Sequence, residues 1–197
     1  MTDASPTLVD LILARRSVSP RFLVEPTPTP EQLDLILRAA AAAPDHKSLR
    51  PYRFILVPPE RRVDLAAAFR AAKTEQDPGA PSAEIERSGE KAYRGAMLLA
   101  VVLRIVRDHP RVSVSDQMLA AGAAVENILL AAMALGYAGC LRSGVSATSR
   151  RVRLALGLSG DEELAAFLML GTPAKLPAPR DDTIDGLLTI WDQASDS

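Results

Sequence analysis

The sequence predicts an α+β fold built in layers, and three observations carry that prediction. Helix-like and strand-like segments are mixed along 197 residues without regular β–α alternation. Two continuous apolar runs, Met97 to Leu103 and Leu164 to Leu170, read as strands buried on both faces. One long stretch, Ser115 to Gly144, joins an apolar helix to a short strand and a polar turn. The length suits a single domain over residues 1–197, with 174–197 as a C-terminal arm. Hydrophobic residues make up 48%, enough for a sizeable core.

The long stretch organises the rest. Between Met118 and Leu135 only Glu126 and Asn127 are strongly polar, and Ala, Leu and Met favour helix. Asp116 falls in the first turn, where negative charge suits the helix dipole, and Gly136 supplies a stop. With no wide polar face, this helix is expected to be covered almost all round, in part by a second subunit. A membrane span needs roughly 20 apolar residues. Adjacent Glu126 and Asn127 at the centre, among many small side chains, favour a buried soluble helix instead.

The other elements follow in order. Ser5-Pro6 reads as a cap and first position for a short helix through Leu8, Leu11 and Ile12. A Pro-rich extended segment, Pro20 to Pro30, leads to Thr29-Pro30-Glu31-Gln32, a strong helix start. Leu33, Ile36, Leu37 and Ala40 then mark one apolar face, and Pro44 ends the helix. Tyr52 to Val57 reads as a strand, followed by a helix through Val63, Leu65, Ala66 and Phe69. Lys73 to Pro81 turns polar and predicts a loop or excursion, after which Ser82 caps a short helix towards Tyr93. Thr148 or Ser149 caps a helix towards Leu156, which Gly157 stops. Gly171-Thr172-Pro173 is expected to end the last strand, leaving a tail with an apolar patch from Ile184 to Trp191.

Composition excludes several functions. The formal charge of −1 points to neither nucleic acid nor an anionic membrane surface. One cysteine, Cys140, allows no intrachain disulfide and reads as a small core residue. No basic region precedes the first apolar run, so a signal peptide is not indicated and a cytoplasmic protein is expected. GxGxxG after a strand, a Walker loop, HExxH, paired-Cys zinc spacing and GxSxG are all missing. His46 and His109 alone make no metal site.

Three short segments can carry chemistry. Arg15, Arg16 and Ser17 combine two planar cations with a hydroxyl, a set suited to phosphate. A solvated surface turn is the plainer reading of the same residues. His46 stands in a proline-bracketed loop, Pro44 to Pro51, with Asp45, Lys47 and Ser48 beside it. Arg142, Ser143 and Gly144 offer a cation, a hydroxyl and exposed amides after a buried strand, or simply a strand-to-helix connection.

Taken together and in this order, the segments resemble the FMN-dependent nitroreductase family, in particular its short YdjA-like branch. The resemblance runs from about Leu8 to Pro173 and rests on ARRSVSPRF, EQLDLILRAAAAAPDHKSLRPYRFILV, AAGAAVENILLAAMALGYAGCLRSG and FLMLGTP. It implies a three-layer α/β/α arrangement with a mostly antiparallel mixed sheet, a central long helix and an intertwined homodimer. FMN would lie at the subunit interface, with NADH or NADPH as co-substrate and hydride carried by flavin N5. Arg15, Arg16 and Ser17 would hold the FMN phosphate and ribityl chain. His46 would reach the flavin from the partner subunit. Leu141, Arg142 and Ser143 would line the ring, with Arg142 in an electrostatic role and no protein nucleophile. Ala131 to Gly136 matches a stretch associated with nicotinamide nucleotide, although by composition it reads as buried helix.

This sequence departs from that branch at several points. Leu141 stands where Trp is usual, Ala42 replaces an Arg that contacts flavin, and Arg50 and Tyr52 replace Gln and Trp. The expected activity is hydride transfer by a ping-pong mechanism to nitroaromatics, quinones or similar small acceptors. The alternative is a non-catalytic flavin- or ligand-binding member of the same fold. No cluster in the linear sequence is devoted to a 2′-phosphate.

Overall fold

Side-chain alternation along one strand sets the layers. In the computed structural model, which describes residues 7–144, 148–180 and 183–191, β3 (Met97–Leu103) runs through the middle of the sheet. Leu98, Ala100 and Val102 enter one core, and Leu99, Val101 and Leu103 enter another. Both faces of the strand are dry, which is why its sequence shows no polar alternation.

Among the described residues the sheet has five strands, and every pairing is antiparallel. β2 (Tyr52–Leu56) pairs with β3, and β3 with β5 (Glu163–Pro173). The other edge of β5 takes β4 (Ala138–Arg142) beside Phe167–Gly171, then β1 (Leu23–Val24) beside Thr172 and Pro173.

Helices cover both faces. On one side α3 (Arg62–Gln76) brings Leu65, Ala66, Phe69 and Ala72, and α6 (Arg150–Ala155) brings Val152. The short α4 (Ser82–Gly89) packs on α3. On the other side α2 (Pro30–Ala41) and α5 (Val114–Ala134) bury Ile36, Ala40, Ala124, Ile128 and Ala132 against Leu168 and Leu170. Each fully buried Leu or Ile contributes roughly 1.5–3 kcal/mol. The arrangement is therefore α/β/α.

Helix starts follow local chemistry closely. Thr29 with Gln32, and Ser113 with Asp116, form reciprocal capping boxes at α2 and α5. Gly136, at φ 86°, closes the C-terminus of α5 as expected.

Several expectations need correction. Ser5 and Pro6 lie outside the described residues, and α1 (Leu8–Ala14) is capped by Thr7 with Asp10 instead. The polar stretch from Lys73 is helical to Gln76, because Lys73 bonds Asp77 and Glu84 and ties α3 to α4. Gly171 to Pro173 does not end β5; pairing with β1 extends the strand through Pro173. The cover of α5 is one-sided within a single chain. Six of its buried residues, from Ala121 to Ala132, join the core shared with α2 and the sheet, while Met118 and Leu119 are 48% and 73% exposed.

Candidate functional site

Two backbone facts bring the candidate segments to one sheet edge. β4 pairs with β5 along one side, and on its other side Val18 N–H donates to Gly139 O at 3.1 Å. The Arg15–Ser17 segment therefore leads onto β4, whose far end is Leu141 and Arg142, with Ser143 just beyond it.

Helix α1 delivers the two arginines. Its last turn closes at Arg15, whose N–H donates to Leu11 and Ile12 carbonyls. The Arg15 guanidinium reaches Glu126 of α5 at 2.8 Å. Arg16 donates to Leu13 O at 2.7 Å, Arg15 O at 2.8 Å and Arg180 O at 3.2 Å, tying the end of α1 to the tail. Both arginines line a cavity of about 520 Å³ with Leu129, Met133, Tyr137 and Leu176. Ser17 is exposed next to buried Val18.

Register decides which side chains of β4 face which way. Arg142 lies opposite Phe167, and Leu141 opposite Leu168. Phe167 belongs to the α3 core and Leu168 to the α5 core, so the two neighbours take opposite faces. Arg142 and Ser143 accordingly line a cavity of about 1120 Å³ on the α3 side, floored by Phe69, Leu98, Phe167 and Met169. Leu141 is 42% exposed and lines neither cavity.

His46 sits elsewhere in the chain. Its Nδ1 lies 3.9 Å from Asp116 Oδ2 at the start of α5. Hydrogen bonding with Ser113, and then the nearness of His46, hold the Asp116 carboxyl below its ordinary value. Ten residues of α5 separate Asp116 from Glu126, a rise of ~15 Å. One chain alone does not bring His46 to the β4 edge.

The loop carrying His46 is strained in a way its residue types do not announce. Lys47, Ser48 and Arg50 have φ of 64°, 52° and 47°, and none is glycine. Each left-handed residue costs on the order of 1–2 kcal/mol. Asp45 holds the shape, accepting from Arg50 N–H at 2.6 Å.

Two features lie beyond reach of the linear sequence. Glu126 shows as a polar residue in an apolar helix, but nothing local names Arg15 as its partner. The larger cavity gathers Arg21, Lys73, Arg87, Lys91, Arg94 and Arg150 around Arg142 from five separate segments. Among the described residues, no group of three or more His, Cys, Asp or Glu side chains can hold a metal.

The family model described as the nitroreductase family matches residues 12–172. The chain belongs to the nitroreductase family. It is 36% identical over 165 residues to the Escherichia coli K12 protein named "Putative NAD(P)H nitroreductase YdjA", covering 84% of this chain and 87% of that one. A Haemophilus influenzae relative with the corresponding description is 34% identical over 162 residues, covering 82% and 87%. Among solved structures, a nitroreductase-like family protein from Bacillus cereus superposes with a TM-score of 0.81 at 21% identity, covering 98% of this chain and all of that one. The nitroreductase NfnB, described as FMN- and NADPH-dependent, superposes with a TM-score of 0.74 at 18% identity, covering 94% of this chain and 99% of its own. These structural likenesses establish the nitroreductase fold. The family span includes both candidate segments on the β4 edge, from Arg15 to Ser17 and from Leu141 to Ser143.

Proposed function

We propose that this nitroreductase-family chain is an FMN-dependent NAD(P)H oxidoreductase that reduces nitroaromatics, quinones or similar small acceptors in a ping-pong cycle. The observation that carries the reading is the meeting of the Arg15–Ser17 and Leu141–Ser143 segments along β4, beside a large cavity with an apolar floor. Relatives named as NAD(P)H nitroreductases, and a fold neighbour described as FMN- and NADPH-dependent, support it.

The donor set fits the group. Guanidinium donors at Arg15 and Arg16, with the Ser17 hydroxyl beside them, suit a phosphate, and Arg142 and Ser143 at the far end of β4 suit the polar edge of a flat, electron-rich ring. When bound, FMN supplies the hydride relay from NAD(P)H to the acceptor. Arg142 places a fixed positive charge where negative charge would gather. Arg15 must leave Glu126 to serve a phosphate. That exchange is cheap, since a half-exposed ion pair contributes at most about 1 kcal/mol.

A second copy of the chain completes this proposal. All of α1 is unburied, α5 exposes Met118 and Leu119, and the tail exposes Ile184, Leu187, Leu188, Ile190 and Trp191. An apolar surface of that extent is expected to be covered. A homodimer would let His46 of the partner subunit approach the β4 edge, which the chain's own His46 does not reach.

Incubation with FMN, removal of excess and a visible spectrum test the reading first. Retained flavin bands, lost in Arg15→Ala/Ser17→Ala, are the expected result. NAD(P)H oxidation with a quinone should then exceed that of free FMN. Flavin retention without such turnover would favour a binding protein, a reading that the aliphatic, outward Leu141 already motivates.

A further inference from the structure

The larger cavity carries a charge that the chain as a whole does not. Seven cationic side chains line it against two carboxylates, in a protein of net charge −1. Both carboxylates are already neutralised, Glu84 by Lys73 at 3.2 Å and Glu75 by Arg151. By contrast, Arg21, Lys91, Arg94, Arg142 and Arg150 form no ion pair with the described residues. Among the described residues Arg87 donates only to the Ala83 carbonyl.

The excess is not an even scatter of surface charge. Arg87, Lys91 and Arg94 are four and three apart along α4 and the 3-10 turn Glu90–Tyr93, a spacing that places them on one side. Arg21 follows the Val18 crossing onto β4, and Arg150 opens α6. Beneath them lies an uncharged floor of Phe69, Leu98, Phe167 and Met169. A concave wall of one sign over a low-dielectric floor focuses its field and concentrates the opposite charge. The exposed apolar surfaces of α1, α5 and the tail contribute none of these residues. At about 1120 Å³ the space is also larger than a single small-molecule pocket usually needs, roughly 300–1,000 Å³.

We propose that this cavity is an anion-selective acceptor pocket, taking a planar apolar ring that bears a sulfonate, carboxylate or phosphate. The ring lies on the apolar floor and the anionic group meets Arg87, Lys91 and Arg94. As an acceptor pocket it rests on the oxidoreductase reading; as an anion site it does not. In the reaction NAD(P)H gives a hydride and solvent a proton, so a quinone leaves as the quinol and the anionic group is unchanged.

The test pairs 1,4-naphthoquinone-2-sulfonate with uncharged 2-methyl-1,4-naphthoquinone on the full chain incubated with FMN. Calorimetric binding and NAD(P)H-driven reduction are measured separately. The sulfonate is expected to bind about tenfold or more tighter at low ionic strength, with most of that preference lost near 0.5 M salt. In Lys91→Gln/Arg94→Gln, checked for fold by circular dichroism, the preference should fall towards one. Equal binding of the two quinones by the wild-type chain at low salt overturns the proposal without any variant. So does a preference that survives both salt and the double substitution. Tight sulfonate binding with no reduction keeps the anion site and removes the oxidoreductase reading. Reduction of both quinones with equal affinity does the reverse. If salt and substitution move only the NADPH-to-NADH ratio, the cations hold a coenzyme phosphate and the acceptor assignment is overturned.

Discussion

Arg15 holds one anionic partner, and whether a flavin phosphate can replace it can be measured. In the chain by itself it pairs with Glu126 at 2.8 Å. If phosphate takes its place, Glu126→Gln should raise FMN affinity, by no more than about fivefold, because a half-exposed pair is weak. A fluorescence titration with FMN checks this, and weaker binding in that variant would assign Glu126 a supporting role instead. A second residue-scale prediction concerns Glu162, whose buried carboxylate accepts from Arg53 at 2.8 Å and Arg104 at 2.7 Å. The Arg53 bond, and after it Arg104, holds the carboxyl far below the ordinary 4.5 of a glutamate. Glu162→Gln should cost about 2 kcal/mol at neutral pH, read from urea unfolding. A depressed folded pKa stabilises above the unfolded value and stops doing so as acid protonates the group. The gap between wild type and variant should therefore be full above about pH 5 and narrow towards pH 3. A gap that widened in acid would contradict the origin assigned to it.

At the scale of elements, the strands and helices that form from local signals are the ones the sequence displays. Thr29-Pro30-Glu31-Gln32 starts α2 at Pro30, and Gly136 stops α5, because caps and breakers act within one turn. β1 is different: two residues long, it exists only because β5 is there to pair with it. Gly171 is the joint that permits this. A Cβ there would stand 2.9 Å from Val24 O and 3.1 Å from Leu23 C, both backbone atoms with little room to yield. Gly171→Ala should therefore destabilise by about 1–3 kcal/mol, seen as a lower denaturant midpoint. An unchanged midpoint would mean that β1 shifts freely and contributes little. The same logic covers α4, since Lys73 reaches both Asp77 at the end of α3 and Glu84 of α4 and so converts a polar run into ordered structure.

For the whole molecule, the uncovered apolar surface of α1, α5 and the tail is the chief unresolved stress. Proteins seldom leave contiguous apolar area of that kind in water. Light scattering at micromolar concentration should give twice the 21.1 kDa chain mass. Leu119→Glu places a charge on the exposed apolar surface near the start of α5 and should shift the mass towards one chain. If the flavin site is shared, FMN retention should fall with it. A dimer that persists in this variant would move the interface away from α5.

The sequence by itself determined the layered α+β architecture, the long helix, the buried strands and the family, since these rest on short-range periodicity, caps and ordered motifs. It also marked Arg15, Arg16, Ser17, Arg142 and Ser143 as chemically suitable, from residue type and order alone. Tertiary structure decided which of them meet. The Val18 crossing onto β4 brings two segments more than a hundred residues apart to one edge, and the β4–β5 register aims Arg142, not Leu141, at the large cavity. It also set His46 beside Asp116, away from that edge, and assembled the cationic wall from scattered residues. No local signal encodes such meetings, because charge convergence and strand register are fixed only when the layers pack.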